Sequence, residues 1–145
     1  MTSKLLQLDD FLPFRLSYTS NLVSERIARS YEALFGLKIP EWRLIAVIAE
    51  GRGTTQQDIG ARTRMDKVTV SRAAVALFER GLITRAPNPA DGRSHLLTLT
   101  PAGHTLYAQI APKALELEAA IFGQFCVEEL VALKDMLRRV ADYAG

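Results

Sequence analysis

Asp66-Lys67-Val68-Thr69-Val70-Ser71-Arg72-Ala73-Ala74-Val75-Ala76-Leu77-Phe78-Glu79-Arg80-Gly81 is the stretch whose reading decides the fold. Asp66 suits a helix N-cap, because its carboxylate accepts amides that the first turn leaves unpaired, and Gly81 suits the left-handed conformation in which helices end. Between them, at helical spacing, Val70, Ala73, Ala74 and Leu77 share one face while Val68, Ser71, Arg72 and Val75 lie opposite. The spacing predicts a helix that seats closely through two alanines and leaves a valine, a hydroxyl and a guanidinium free. Just upstream, Thr55-Gln56-Gln57-Asp58 has the form of a capping box, hydroxyl and carboxylate each satisfying an amide, and opens a short preceding helix. Downstream, Leu82-Ile83-Thr84-Arg85 and Leu96-Leu97-Thr98-Leu99-Thr100 are strand-like and are joined through the turn formers Asn88-Pro89-Ala90-Asp91-Gly92. Helix, turn, helix and hairpin in that order predict a winged helix-turn-helix with Arg93 at the tip of the wing.

Outward from this centre the chain reads as helical. From about Asp10 to Phe35, Leu16, Leu22, Val23, Ile27, Tyr31, Leu34 and Phe35 recur at helical spacing, Pro13 is tolerated in the first turn, and Gly36 marks the stop. Pro40 in a first turn, followed by Trp42, Ile45, Ile48 and Ala49, predicts a second helix ending at Gly51 and Gly53. Thr100-Pro101 starts a fifth helix reaching roughly to Phe125, which Pro112 is expected to kink or interrupt. A last helix, Val127 to Tyr143, carries Leu130, Leu133, Leu137 and Val140 along one face. The expected fold class is mainly α with a small β-hairpin wing. It forms one domain over 1–145, with a winged helix-turn-helix lobe at 37–100 and a helical dimerisation region at 5–36 and 101–145. Apolar residues of the first, fifth and sixth helices exceed what the lobe can cover, so a homodimer is the most economical arrangement.

Composition narrows the function classes. With 145 residues and 48% apolar content, the chain fits a domain with a sizeable core. Its longest apolar runs, such as Leu44 to Ala49, are bounded by charges and too short to span a bilayer, and no basic flank precedes an apolar stretch at the N-terminus. A cytoplasmic protein without a membrane partner is expected, nucleoid-associated when bound to DNA. Cys126 is the single cysteine and forms no zinc-ligand spacing with His95 and His104, so neither metal nor cofactor is expected. Cys126 stands where the last helix needs an N-cap; it reads first as a small capping or buried residue and second as a redox-sensitive thiol. The chain lacks a glycine-rich phosphate loop, paired metal ligands and a nucleophile with a base, which argues against an enzyme.

Charge is more informative by place than by total. The net charge is +2, but from Arg52 to Arg93 eight basic residues face four acidic ones, so this segment carries +4 and the remainder −2. Positive charge gathers where a phosphate backbone would be met, although a solvated basic face is the bland alternative. On the free helix face, Arg72 suits a bidentate contact to guanine, Ser71 a base or phosphate, and Val68 a thymine methyl. Arg93 suits a narrow minor groove, and Asp91 is placed to orient a neighbour such as Arg85. The alternative is that Asp91 and Gly92 merely turn the chain.

Trp42, Asp66 through Arg72, Gly81-Leu82-Ile83-Thr84-Arg85, Asp91-Gly92-Arg93 and Leu99-Thr100-Pro101-Ala102-Gly103 closely resemble, in order and spacing, the MarR family of bacterial transcriptional regulators. The resemblance covers nearly the whole chain. It implies a homodimer with one winged helix-turn-helix per protomer, the fourth helix in the major groove and the wing in the minor groove of double-stranded DNA. Residues expected at DNA are Thr55, Gln56, Arg64, Lys67, Val68, Thr69, Ser71, Arg72, Arg85, Arg93 and Ser94. The family further implies a small-molecule effector between the first, second and fifth helices, which puts Phe14, Tyr18, Trp42 and His104 in a candidate ligand pocket; core packing is the competing role, for Trp42 above all. Val75 and Phe78 depart from the pattern, being apolar where many relatives look polar. The leading function is a DNA-binding regulator, most simply a repressor; a winged-helix protein-interaction module is the alternative, against which Arg72 and Arg93 count.

Overall fold

In chain order, the computed structural model, which describes residues 5–145, contains a 3-10 turn (Leu8–Asp10), α1 (Leu12–Phe35), α2 (Ile39–Glu50), α3 (Gln56–Thr63), α4 (Lys67–Glu79), β1 (Ile83–Asn88), β2 (Asp91–Leu99), α5 (Pro101–Phe122) and α6 (Val127–Ala144). The first helix starts at Leu12 and not near Asp10, because the Phe11 amide turns back to the Leu8 carbonyl at 3.0 Å and closes the 3-10 turn first. Pro13 then falls in the opening turn of α1, where no amide bond is lost. Gly36 ends that helix in the left-handed conformation at φ +63°. α5 stops at Phe122, short of Phe125, and remains helical through Pro112.

The caps shape the two central helices. Thr55 Oγ1 accepts the Asp58 amide at 3.1 Å and Asp66 Oδ1 accepts the Thr69 amide at 2.7 Å. Only the threonine half of the expected capping box forms at α3; no return bond from the Asp58 carboxylate is present among the described residues. Hydrogen bonds from Thr69, its amide foremost, hold the Asp66 carboxylate below its ordinary pKa of 3.8. A carboxyl with a depressed folded-state pKa contributes stability above its unfolded value and loses it as pH falls through the folded one. Asp66→Ala should therefore melt below the unsubstituted protein at neutral pH, with a gap that narrows on the acid side of 3.8. Equal melting temperatures across that range would show that the cap contributes nothing.

Val70, Ala73, Ala74 and Leu77 of α4 are buried against Leu44, Ile45 and Ile48 of α2, Ile59 of α3 and the hairpin residues Ile83 and Leu97. This is the core of the lobe, and it buries the face of α4 that the sequence pattern selects. The strands pair antiparallel from Ile83 opposite Leu99 to Pro87 opposite His95, and then Asn88 opposite Asp91. Gly92, Arg93 and Ser94 are thus extra residues bulged from β2. Thr54 joins the hairpin through two backbone bonds with Leu97, 2.8 and 3.3 Å, and so fixes the entry of α3 against β2.

The junction after the hairpin is tight. Thr100 Oγ1 donates to the Gly81 carbonyl at 2.6 Å and accepts the Gly103 amide at 3.0 Å, capping α5 while holding the end of α4. Two compact units divide the chain, one running to Ala111 and the other from Pro112 to Gly145. In the second, Glu129 Oε1 accepts the amide of the exposed Cys126 at 3.0 Å, and Arg138 bridges Asp135 and Asp142 along α6. Among the described residues no helix is long and apolar enough to cross a membrane.

Candidate nucleic-acid interface

On α4 the unpacked face carries Val68 at 56% exposure, Val75 at 52% and an exposed Arg72, with Ser71 half-buried between them. Lys67 and Thr69 belong to the same first turn, where the Thr69 amide is committed to the Asp66 cap. Across the turn, Arg64 closes α3 with φ +61°, the one non-glycine residue with positive φ among those described, and its side chain is exposed. Lys67 faces Gln56, Gln57, Gly60 and Val70 around a hollow of about 460 Å³.

Five of the expected residues meet in a second hollow. Thr55, Gln56, Arg85, Arg93 and Ser94, with Gln57, His95 and Leu97, line a cleft of about 250 Å³ between the start of α3 and the hairpin. Gln57 and His95 were not anticipated. The signal for His95 lay in strand alternation, which sets it on the side of Arg93 and Leu97, and for Gln57 in its place beside Gln56 at the helix start. A third hollow, about 240 Å³, lies between α4 and the hairpin; Gln56 and Arg85 line this one as well, together with Val75, Phe78 and Glu79.

Two expectations about the wing need correction. Arg93 does not stand at the hairpin tip; Pro89 and Ala90 form the turn, and Arg93 sits in the bulge of β2. The bulge is held by its own side chains: Asn88 Nδ2 donates to Ser94 Oγ at 2.9 Å, and Asp91 Oδ1 accepts the Arg93 amide at 3.0 Å. That Asx-type bond turns the Asp91 carboxylate onto its own backbone, so it does not orient Arg85. Arg85 instead rests its guanidinium carbon 4.6 Å from the centre of the Phe78 ring.

Not every basic residue of the segment is free. Arg62 pairs with Glu50, and Arg80 donates to the carbonyls of Phe35 and Gly36 at 3.2 and 3.3 Å, closing the end of α1. Of the candidate ligand residues, Phe14 packs on Tyr18 within α1 at 5.9 Å between ring centres. Trp42 lies in a different aromatic group, edge-on to the buried Tyr31 at 5.3 Å and stacked with Tyr107 at 6.2 Å. Burial raises the Tyr31 phenol above its ordinary pKa. His104 is exposed on α5.

A three-helix lobe with a closely packed third member, followed by an antiparallel hairpin, is a winged helix-turn-helix. Residues 35–94 match the model of the MarR family. An uncharacterized HTH-type transcriptional regulator of Staphylococcus aureus strain Mu50 is 31% identical over 99 residues, which span 68% of this chain and 65% of that relative's own length. A MarR/EmrR family transcriptional regulator from Acinetobacter sp. ADP1 superposes with a TM-score of 0.88 at 24% identity, covering 96% of this chain and 98% of the other. Two further structures share the fold: Bordetella bronchiseptica BpsR, described with regulation of its DNA binding by 6-hydroxynicotinic acid (TM-score 0.86, 22% identity, 96% and 99% covered), and Streptomyces coelicolor Sco3205 in complex with DNA (0.84, 21%, 97% and 91%). Over residues 35–94 the chain is thus similar to the MarR family, and its fold is the one those regulators share.

Proposed function

We propose that the protein is a homodimeric, DNA-binding transcriptional regulator, acting as a repressor at a near-palindromic operator, with α4 in the major groove and the hairpin at the minor groove. The observation that carries the reading is the nearness of the unpacked α4 face to the clefts beside it: Gln56 and Arg85 line both the cleft at the start of α3 and the hollow between α4 and the hairpin, and Val75, which lines the latter, shares the exposed α4 face with Arg72. Thr55, Arg64, Lys67, Val68, Thr69, Arg93 and Ser94 complete the surface in this proposal. Residues 37–100 serve as the DNA lobe, while 5–36 and 101–145 serve dimerisation. Exposed Leu12, Leu16 and Leu22 on α1 and Val131, Leu137 and Val140 on α6 support that division, as does the DNA complex of the S. coelicolor neighbour for the lobe. The reading involves no catalytic step, and it places the protein in the cytoplasm, on the nucleoid when bound.

The finer part of the proposal is relief by a small, largely apolar aromatic ligand at Phe14, Tyr18, Trp42 and His104, a reading that the 6-hydroxynicotinic acid dependence of BpsR supports. Such a ligand must bind the released conformation better than the DNA-competent one, since equal affinity shifts nothing. The deciding experiment is a mobility shift with DNA from the gene's own upstream region, together with sedimentation of the free protein. A specific shift by a dimer supports the reading; a stable monomer that binds no fragment more tightly than random DNA overturns it.

Arg93 supplies a separate expectation. Arg93→Ala should weaken binding and lower the slope of log affinity against log salt by about one, because one fewer phosphate-bound cation is displaced. Preference at the major-groove positions should persist. An unchanged slope with unchanged affinity would leave the bulge as a turn only.

A further inference from the structure

We infer that Phe78 is a positioning residue for DNA binding, holding the Arg85 guanidinium beside α4 so that its N–H groups are presented to a backbone phosphate. The inference rests on the DNA-binding reading above and adds a role to Phe78. Phe78 is 44% exposed, an unusual place for a phenyl ring whose helix already buries its other face. Its ring instead receives Arg85 at 4.6 Å. Among the described residues Arg85 has no carboxylate partner: Asp91 is turned onto the Arg93 amide, and Glu79, though it lines the same hollow, forms no ion pair with it.

The ring therefore does what an acidic partner does elsewhere, with a different consequence. A carboxylate would hold the guanidinium by occupying its N–H groups and would set a negative charge against an incoming phosphate. A phenyl ring attracts the cation through its quadrupole and accepts no N–H along the guanidinium edge, so those donors and the full charge stay available. Val75, one turn before Phe78 and lining the same hollow, adds apolar surface along the arginine stem. Arg85 also lines the cleft shared with Gln56, Arg93 and Ser94, which puts the held cation between the α4 face and the wing. An arginine already placed loses less rotamer freedom when it meets a phosphate.

A double-mutant cycle on the full-length protein tests this, with operator binding at fixed salt as the readout and thermal melts as the folding check. Phe78→Leu keeps an apolar side chain but removes the ring and should weaken binding about two- to fivefold, the range of an exposed cation–π contact. In the Arg85→Ala background the same substitution should have no effect, and Phe78→Tyr should restore affinity in the Arg85 protein. Losses that simply add, a Phe78→Tyr variant as weak as Phe78→Leu, or an Arg85→Ala variant of full affinity would each overturn the positioning role while leaving DNA binding intact. Failure of the unsubstituted protein to bind DNA specifically would remove both readings together.

Discussion

Arg72→Ala is expected to weaken specific DNA binding by about 1–3 kcal/mol, roughly five- to 150-fold, at matched salt. The side chain lies on the exposed face of α4, and among the described residues it forms no ion pair, so its removal leaves no partner unsatisfied within the fold. The packed face through Ala73 and Ala74 is untouched, and surface changes of this kind usually alter stability by less than about 0.5 kcal/mol. The loss should therefore appear in binding alone, with discrimination relaxed at one position of each half-site. A competition titration against operators varied one base pair at a time separates this from a loss of charge, which weakens all sequences alike. Undiminished affinity of Arg72→Ala for its operator would falsify the placement of α4 in the groove.

Gly103→Ala is expected to destabilise the fold by about 3 kcal/mol, the upper end of ordinary overpacking. A methyl group on Gly103 would stand 2.1 Å from the Leu82 carbonyl oxygen and 3.3 Å from the Leu99 Cβ. That carbonyl cannot swing aside cheaply, because it accepts the Thr100 amide at 3.0 Å in the junction that caps α5. Relief requires the start of α5 to move off the hairpin, opening the Thr100 bonds to Gly81 and Gly103. The melting temperature should fall by roughly 10 °C. Gly92→Ala is the control: nothing lies within 4 Å of its added methyl, and its stability should match that of the unsubstituted protein.

Where local chemistry and helical period agree, the sequence is sufficient. Asp66, the four buried residues of α4 and Gly81 each act locally, and together they specify that helix, its packed face and its end. The wing is less legible. A stretch of turn formers from Asn88 to Gly92 leaves the pairing register open, and the bulge depends on Asn88 reaching Ser94 and Asp91 reaching the Arg93 amide, choices made by side chains against one another. The same choice takes Asp91 away from Arg85. The Phe78 contact also lies beyond a periodicity argument, since it joins a helix to a strand and an apolar residue to a charged one. In the candidate interface, the shared cleft of Thr55, Gln56, Arg85, Arg93 and Ser94 follows from the Thr54–Leu97 bridge, a pairing between segments far apart in the chain.

The two bonds from Arg80 to the last carbonyls of α1 have a mechanical meaning. One guanidinium, rooted at the C-terminal end of α4, carries the terminal oxygens of a helix 44 and 45 residues earlier in the chain. The two helix ends cannot draw apart without breaking both bonds. A displacement of the α1 terminus is thus felt directly at the C-terminal end of α4, the same helix that bears Ser71 and Arg72 about two turns nearer its capped start, while the packed face between them keeps that helix a single rod.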